Sequence, residues 1–318
     1  METHETLSVI IPAYNEEENI RRAAQAVFGI LDAAGISSAL YFVDDGSKDN
    51  TWAVISALSA ENPRVRGVRF SRNFGKESAI FAGLEMAKGD CCAVMDCDLQ
   101  HPPETLVKMF RLWQQGFEVI EGVKSSRGKE SWLYKKMSQS FYRMMSSATR
   151  TDMSRASDFK LLDRKAVQAV VTLPERGTFF RALSSWVGYK TTCVEFEVAE
   201  RAAGTTKWNK FSLVRYAVNN IVSFTSAPLY FIIFAGALFL LLAFVLAVES
   251  LVTYLTHRAL EGFTTVILIQ LISSSLIMIS LGIIGVYISK VYAEVKGRHR
   301  YIISDLSGFE GDGTHDAV

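Results

Sequence analysis

The sequence predicts a doubly wound α/β domain with a mostly parallel sheet, followed by two membrane-spanning helices. Short apolar runs rich in β-branched residues alternate with helical stretches through the first third of the chain. These runs are continuously apolar, which is typical of strands buried on both faces of a parallel sheet. Near the other end of the 318 residues, two long stretches carry no charged side chain.

The elements of the α/β domain follow one another in a regular order. The predicted strands lie in LSVIIPAY, ALYFVDDGS, VRGVRFSRN and CCAVMDCD. The predicted helices between them cover about Glu17–Ala34, Thr51–Ala60 and Lys76–Ala87. Ligands of such sheets bind at the carboxyl ends of the strands, so we expect the residues that follow the strands to form the site.

All four predicted strands end in polar residues of similar character. They are PAYNE at 12–16, DDGS at 44–47, RNFGK at 72–76 and DCD at 96–98. Helix capping explains any one of these groups, but it does not explain why all four strands share them. The sequence has neither a GxGxxG loop nor a Walker lysine loop, so a phosphate ligand would have to be bound in another way.

Asp96 and Asp98 stand one residue apart at the end of the fourth strand, which directs both carboxylates toward one pocket. Hard oxygen ligands suit Mg²⁺ or Mn²⁺, and these ions also bind phosphate oxygens. We therefore predict a divalent cation that binds a nucleoside diphosphate. His101, which precedes two prolines, is expected to shape the turn rather than to bind the metal. The net charge of +1 argues neither for nor against a nucleic-acid partner, and none is expected.

The uncharged stretches Tyr216–Val248 and Gly262–Ser289 each exceed the roughly 20 residues that a helix needs to cross a bilayer. Lysines and arginines flank their outer ends, which places both ends of the chain in the cytoplasm. We expect a multi-pass protein of the inner (cytoplasmic) membrane. The predicted parts are a cytoplasmic catalytic domain at 1–205, an interfacial amphipathic helix at 206–226, two spans within 227–290 (about 227–252 and 263–289) and a basic cytoplasmic tail at 291–318.

Two further features concern contacts with the membrane and with other copies of the chain. Residues 131–148 place apolar side chains at helical spacing among lysines and an arginine, as in an interfacial helix or an ordinary surface helix. Gly236 and the Gly282–Gly285 pair would allow close helix contact, as in a homo-oligomer.

Four blocks and the membrane segment together resemble a known family. SVIIPAYNEEENI, FVDDGSKDNT, SRNFGKESAIFAGLEMAKGD and VMDCDLQHPPE resemble, in order and spacing, the inverting family-2 glycosyltransferases with the GT-A fold. Within them the chain is similar to polyprenyl-phosphate glycosyltransferases, that is, to dolichyl-phosphate mannose synthases and more closely to bactoprenol glucosyltransferases of the GtrB type. The resemblance covers nearly the whole chain.

The resemblance implies a set of site residues. The nucleotide would be held by Pro12, Tyr14, Glu16, Val43 and Asp45, and the metal and diphosphate by Asp96, Asp98 and Gln100. RAAGTTK stands where the family has RxxGxSK, so Arg201 and Lys207 would meet the diphosphate and the acceptor. A further family cation corresponds either to Lys124 or to Arg127.

The remaining site predictions come from the chemistry of the transfer. A phosphate acceptor is already anionic, so the reaction requires charge neutralisation on the leaving diphosphate more than a strong base. Lys136 and Ser140 are assigned to the acceptor phosphate, Lys76 and the backbone of Cys97 to the donor. Asp158 either acts near the sugar, as an optional base, or has a structural role such as capping or pairing with Arg155 or Arg164.

The predicted function is transfer of a hexose, in the first instance glucose from UDP-glucose, to undecaprenyl phosphate with inversion. UDP-galactose, UDP-N-acetylglucosamine and GDP-mannose remain alternative donors, because no motif marks the sugar pocket. A processive polysaccharide synthase is disfavoured by the two predicted spans and by the lack of a Gln-x-x-Arg-Trp motif. A non-enzymatic nucleotide-sugar sensor is disfavoured because the metal and diphosphate residues are all present.

Overall fold

The computed structural model describes residues 5–125, 157–174, 179–197, 222, 227–256 and 263–309. Among them, residues 5–197 and 299–309 belong to one compact unit, and residues 222–298 to a second. The predicted interfacial segments at 131–148 and 206–226 lie outside the described residues, apart from residue 222.

The first unit contains eight strands and six helices in its described part. The strands are β1 Thr6–Ala13, β2 Ser37–Asp44, β3 Val65–Phe70, β4 Cys91–Val94, β5 Val119–Lys124, β6 Lys160–Asp163, β7 Thr191–Phe196 and β8 Ile303–Ser307. The helices are α1 Ile20–Ala33, α2 Thr51–Glu61, α3 Lys76–Met86, α4 Glu104–Gln114, α5 Arg164–Val171 and α6 Phe180–Trp186.

The strands form one sheet in the order β7-β5-β6-β4-β1-β2-β3-β8. The pairs β1–β2, β1–β4, β2–β3 and β5–β7 are parallel, whereas β6 runs antiparallel to both β4 and β5, and β8 runs antiparallel to β3. Helix α1 contacts α2 and α4 on one face of the sheet, and α3, α5 and α6 contact one another on the other. The predicted doubly wound, mostly parallel α/β fold is confirmed.

The central strand β1 explains why the apolar runs are continuous. Leu7, Val9 and Ile11 are buried in the core beneath α1 and α2, while Ile10 is buried against α3. Both faces of the strand are thus covered by helices, so neither face has room for a polar row.

The C-terminal segment returns to the sheet. Within the tail predicted at 291–318, Ile303–Ser307 forms β8 on the edge of β3, and the ring of Tyr301 stacks on Phe70 at 4.9 Å between centroids. The sequence did not predict this strand because three of its five residues, Ser304 to Leu306, are exposed, so it lacks an apolar run.

The described part of the second unit contains the two long helices α7 Ala227–Leu255 and α8 Phe263–Val295. Within them, Pro228–Glu249 and Leu268–Val295 are long and apolar enough to cross a membrane, with mean hydropathies of 3.0 and 2.2. Both helices extend beyond the predicted spans of 227–252 and 263–289. Many of their large apolar side chains are exposed, as is typical of a surface that meets lipid.

Candidate active site

A pocket of about 380 Å³ lies at the carboxyl ends of the central strands. It exists because β1 pairs in parallel with both β2 and β4, so the loops that leave these three strands meet at one edge. The pairing continues just past the strands, where Asp45 donates its backbone N–H to Ala13 and Met95 donates to Ile10. The residues lining the pocket are Pro12, Ala13, Tyr14, Glu16, Asp45, Asn73, Gly75, Lys76, Asp96, Cys97 and Asp98.

The pocket brings together eight of the site residues predicted from the sequence. They are Pro12, Tyr14, Glu16, Asp45, Lys76, Asp96, Cys97 and Asp98. Four others do not line it: Val43 is fully buried in β2, Lys124 is exposed at the end of β5, Gln100 contributes to the aspartate turn through its backbone, and Asp158 is buried beside Lys76. The predicted residues Arg127, Lys136, Ser140, Arg201 and Lys207 lie outside the described residues.

Asp45 fixes the loop between β3 and α3. Its buried carboxylate accepts hydrogen bonds from the backbone N–H groups of Phe74, at 2.6 Å, and Gly75, at 2.9 Å. Burial raises the pKa of Asp45, although these hydrogen bonds oppose the shift. Gly46 has φ +65°, and a Cβ there would lie 2.5 Å from the carbonyl carbon of Arg72, so only glycine allows this close approach. The loop that leads to Lys76 at the start of α3 is therefore held against the end of β2.

The turn that carries Asp96 and Asp98 is held by local hydrogen bonds. Asp96 donates its backbone N–H to His101 Nδ1 at 3.3 Å, and Gln100 donates its own to Asp98 Oδ1 at 3.1 Å. Leu99 has φ 57°, a left-handed conformation that costs a non-glycine residue about 1–3 kcal/mol. Strain of this kind persists where the surroundings hold the backbone, as they do on this aspartate turn.

His101 shapes this turn, as its position before two prolines predicted. The ring is buried and stacks on Phe159 at 4.5 Å between centroids. Burial lowers the pKa of His101, so the neutral ring is favoured and Nδ1 can accept from the backbone of Asp96.

Lys76 and Arg181 connect the aspartate turn to Asp158. The ammonium of Lys76 lies 2.6 Å from Asp96 Oδ1 and 3.3 Å from Asp158 Oδ2. Arg181 meets both oxygens of Asp158, Nε at 2.6 Å from Oδ1 and Nη2 at 2.7 Å from Oδ2. Burial alone would raise the pKa of Asp158, but the hydrogen bonds from Arg181 and the charge of Lys76 hold it well below its usual range.

Asp158 is therefore ionised and committed to two cations. Such a carboxylate has little tendency to take up a proton, so the geometry favours its structural role over that of a base. The predicted partner Arg164 is wrong, because its guanidinium donates to the carbonyl of Gly89 at 2.8 Å. The other predicted partner, Arg155, lies outside the described residues.

The residues that support the network of Lys76, Asp158 and Arg181 were not predicted from the sequence. Glu77 accepts a hydrogen bond from the backbone N–H of Phe180 at 2.9 Å, which ties the start of α3 to the start of α6. Lys160 is fully buried and lies 3.1 Å from Glu121 Oε1 and 2.6 Å from Ser184 Oγ. The sequence does carry a signal for this pair, because Lys160 in DFKLLD and Glu121 in VIEGVK each stand among the apolar residues of a strand.

The donor atoms of the pocket fit a divalent cation that arrives with a phosphate ligand. In the described part of the chain, no group of three or more histidine, cysteine, aspartate or glutamate side chains is arranged to hold a metal ion. Mg²⁺ commonly uses only one or two carboxylates together with phosphate oxygens and water, and Asp96 and Asp98 supply such a pair. The described lining has four carboxylates and one ammonium, so a cation would offset the repulsion of a diphosphate.

Residues 8–171, which include every described lining residue of the pocket, match the family described as Glycosyl transferase family 2. The chain belongs to this family. This glycosyltransferase is 37% identical over 98% of its length to the uncharacterized glycosyltransferase YkcC of Bacillus subtilis, covering 97% of that protein. It is 34% identical to the prophage bactoprenol glucosyl transferase homolog of Escherichia coli, over 93% of this chain and 98% of that one. It is 33% identical to the bactoprenol glucosyl transferase of Shigella phage SfII, over 93% and 97% of the two chains.

Among solved structures, the glycosyltransferase is similar to glucosyl-3-phosphoglycerate synthase from Mycobacterium tuberculosis in complex with Mn²⁺, UDP and glucosyl-3-phosphoglycerate. That likeness has a TM-score of 0.48 and 18% identity, and it covers 69% of this chain and 78% of the other. The family and the observed sheet together establish a glycosyltransferase with a GT-A fold and two candidate membrane helices.

Proposed function

We propose that this glycosyltransferase transfers a hexose from a nucleotide sugar to a polyprenyl phosphate, with inversion, at the cytoplasmic face of the inner membrane. Glucose from UDP-glucose is the proposed donor and undecaprenyl phosphate the proposed acceptor. The product is a lipid-linked sugar for modification of cell-envelope glycans.

The observation that carries the proposal is the pocket in which Asp96 and Asp98 meet the polar ends of β1 and β2. A carboxylate pair beside an open cavity at the switch point of a parallel sheet suits a metal-bound nucleoside diphosphate. The names of the relatives in Escherichia coli and Shigella phage SfII support glucose and bactoprenol. Helices α7 and α8 support a lipid acceptor, because an enzyme anchored in the bilayer meets a prenyl phosphate at its surface.

The chemistry follows from the charges of the pocket. In the transfer, an oxygen of the acceptor phosphate bonds to the anomeric carbon, the bond to the diphosphate breaks, and UDP leaves with the electron pair. Asp96 and Asp98 would hold a Mg²⁺ or Mn²⁺ ion, which when bound neutralises charge on the diphosphate. The acceptor oxygen is already an anion, so the ionised, doubly paired Asp158 is not needed as a base.

The remaining roles extend the proposal to Lys124 and to residues outside the described part of the chain. Arg201 and Lys207 are proposed to stabilise the diphosphate, Lys136 and Ser140 to hold the acceptor phosphate, and Arg127 or Lys124 to supply one further cation. Their basic character suits two anionic substrates that meet in a pocket whose described lining is mainly acidic.

A donor panel tests the proposal. The purified full-length protein would be incubated with undecaprenyl phosphate and either UDP-glucose, UDP-galactose, UDP-N-acetylglucosamine or GDP-mannose, with Mg²⁺, Mn²⁺ or EDTA. We expect metal-dependent transfer with UDP-glucose as the best donor. Transfer that is unaffected by EDTA would contradict the metal role, and preference for another nucleotide sugar would contradict the assignment of glucose.

A further inference from the structure

Lys76 occupies an unusual position for a lysine at a proposed metal site. Among the lining residues that the structure describes, it is the one cation, and its ammonium lies 2.6 Å from an oxygen of the proposed metal ligand Asp96. Its side chain is 43% exposed, so pocket solvent and ligands can reach it. The ammonium thus neutralises the charge of Asp96 and remains accessible to solvent.

A second carboxylate lies within reach of the same ammonium. Asp158 Oδ2 is 3.3 Å away, and Asp158 is held in place by the two-pronged contact with Arg181. The base of the lysine is fixed as well, because its neighbour Glu77 accepts the backbone N–H of Phe180 on α6. Lys76 can therefore move from Asp96 toward Asp158 by side-chain rotation, while its backbone and the second carboxylate stay fixed.

Electrostatics makes the lysine a competitor of the metal. A divalent cation on Asp96 would lie within a few ångströms of the ammonium, and two cations at that distance repel each other. A nucleoside diphosphate reverses this balance, because its negative oxygens attract both cations. Metal binding at Asp96 should therefore be weak for the ion alone and strong for the ion with a diphosphate.

We propose that Lys76 exchanges with the divalent cation at Asp96 and so makes metal binding conditional on the nucleotide diphosphate. The inference rests on the proposed function, since it requires a metal-bound nucleotide in this pocket. Lys76 is a positioning residue in this account, because it acts on the donor through Asp96 and does not itself take part in bond making.

The test measures metal affinity without turnover. Free Mn²⁺ would be counted by electron paramagnetic resonance during titration of the full-length protein, with and without UDP. For Lys76→Met without UDP, we expect Mn²⁺ to bind at least about tenfold more tightly than to the wild type. The increase in Mn²⁺ affinity that UDP causes should shrink by the same factor, which is within the usual range for coupled sites. Lys76→Arg keeps the charge and should keep the wild-type dependence on UDP.

Lys88→Met is the matched control, because it removes the same charge from an exposed position just before β4, at the other end of that strand from Asp96. It should leave both affinities unchanged. The inference is overturned if Lys76→Met matches the wild type within twofold, or if Lys88→Met tightens binding as much. Lys76→Gln gives the same readout if the methionine variant fails to fold. A wild-type protein that binds no Mn²⁺ even with UDP would instead overturn the proposed function, and with it the inference.

Discussion

Replacing Arg181 with methionine should destabilise the catalytic unit, because it removes the main partner of a buried carboxylate. The side chain of Asp158 is only 10% exposed and that of Arg181 29%. Removing one member of a buried ion pair costs about 3–5 kcal/mol. Since Arg181 is partly exposed and Lys76 still neutralises Asp158 from 3.3 Å, we expect about 2–3 kcal/mol. For a unit of this size, that is a fall in melting temperature of roughly 5–10 °C.

The assay is thermal unfolding of the full-length protein in detergent, with Arg21→Met as the matched control. Arg21 forms a pair of similar geometry with Glu61, at 2.7 Å, but the two side chains are 45% and 56% exposed. Because both side chains are largely exposed to solvent, the loss of this pair should leave the melting temperature almost unchanged. Adding Asp158→Asn to Arg181→Met should recover part of the loss, because the buried charge is then gone. Equal melting temperatures for the Arg181 and Arg21 variants would mean that the Arg181–Asp158 pair stabilises the unit no more than an exposed ion pair does.

Glu77, Gly46 and Lys160 of the same unit can be tested in the same way. Burial and the charge of Asp158 raise the pKa of Glu77 from 4.5 to about 7. The folded state therefore binds the carboxyl proton more tightly than the unfolded state does, so stability should fall as the pH rises from 4.5 to about 7. Glu77→Gln should make the melting temperature depend less on pH in this range. Gly46→Ala should cost about 1–3 kcal/mol in denaturant unfolding, because its Cβ would clash with the backbone of the β3–α3 loop at a positive φ. Lys160→Met should cost about 3–5 kcal/mol of stability, because it leaves the carboxylate of Glu121 buried without its cation. Adding Glu121→Leu should restore much of that stability, and a double variant that recovers none would contradict this explanation.

The sequence predicts the part of this molecule that depends on local pattern. Continuous apolar strands indicated a parallel sheet. Because ligands of such sheets bind at the carboxyl ends of the strands, the sequence also predicted that Tyr14, Asp45, Lys76 and Asp96 lie in one pocket. That these residues bind the donor stays a prediction. The position of His101 before the two prolines correctly indicated a role in the turn, since that role is set within five residues of Asp96.

What the sequence missed depends on contacts between distant segments. The partner of Asp158 is Arg181, which lies on a short helix 23 residues away, and nothing in the local pattern distinguishes it from the nearer Arg164. Strand β6 lies between β4 and β5 and runs antiparallel to both. The alternation of strands and helices along the chain does not predict this position or direction. Strand β8 was missed because an edge strand with exposed residues needs no apolar run.

We propose that the pocket containing Asp98 transfers one sugar from a nucleotide sugar to a polyprenyl phosphate. The most direct measurement is the mass of the lipid product formed by the purified protein from UDP-glucose and undecaprenyl phosphate with Mg²⁺ or Mn²⁺, beside a folded Asp98→Ala variant. We expect a lipid with a single hexose per prenyl phosphate from the wild type, and none from the variant. A product with several hexoses, no lipid product from any nucleotide sugar, or full turnover by the Asp98→Ala protein would contradict it.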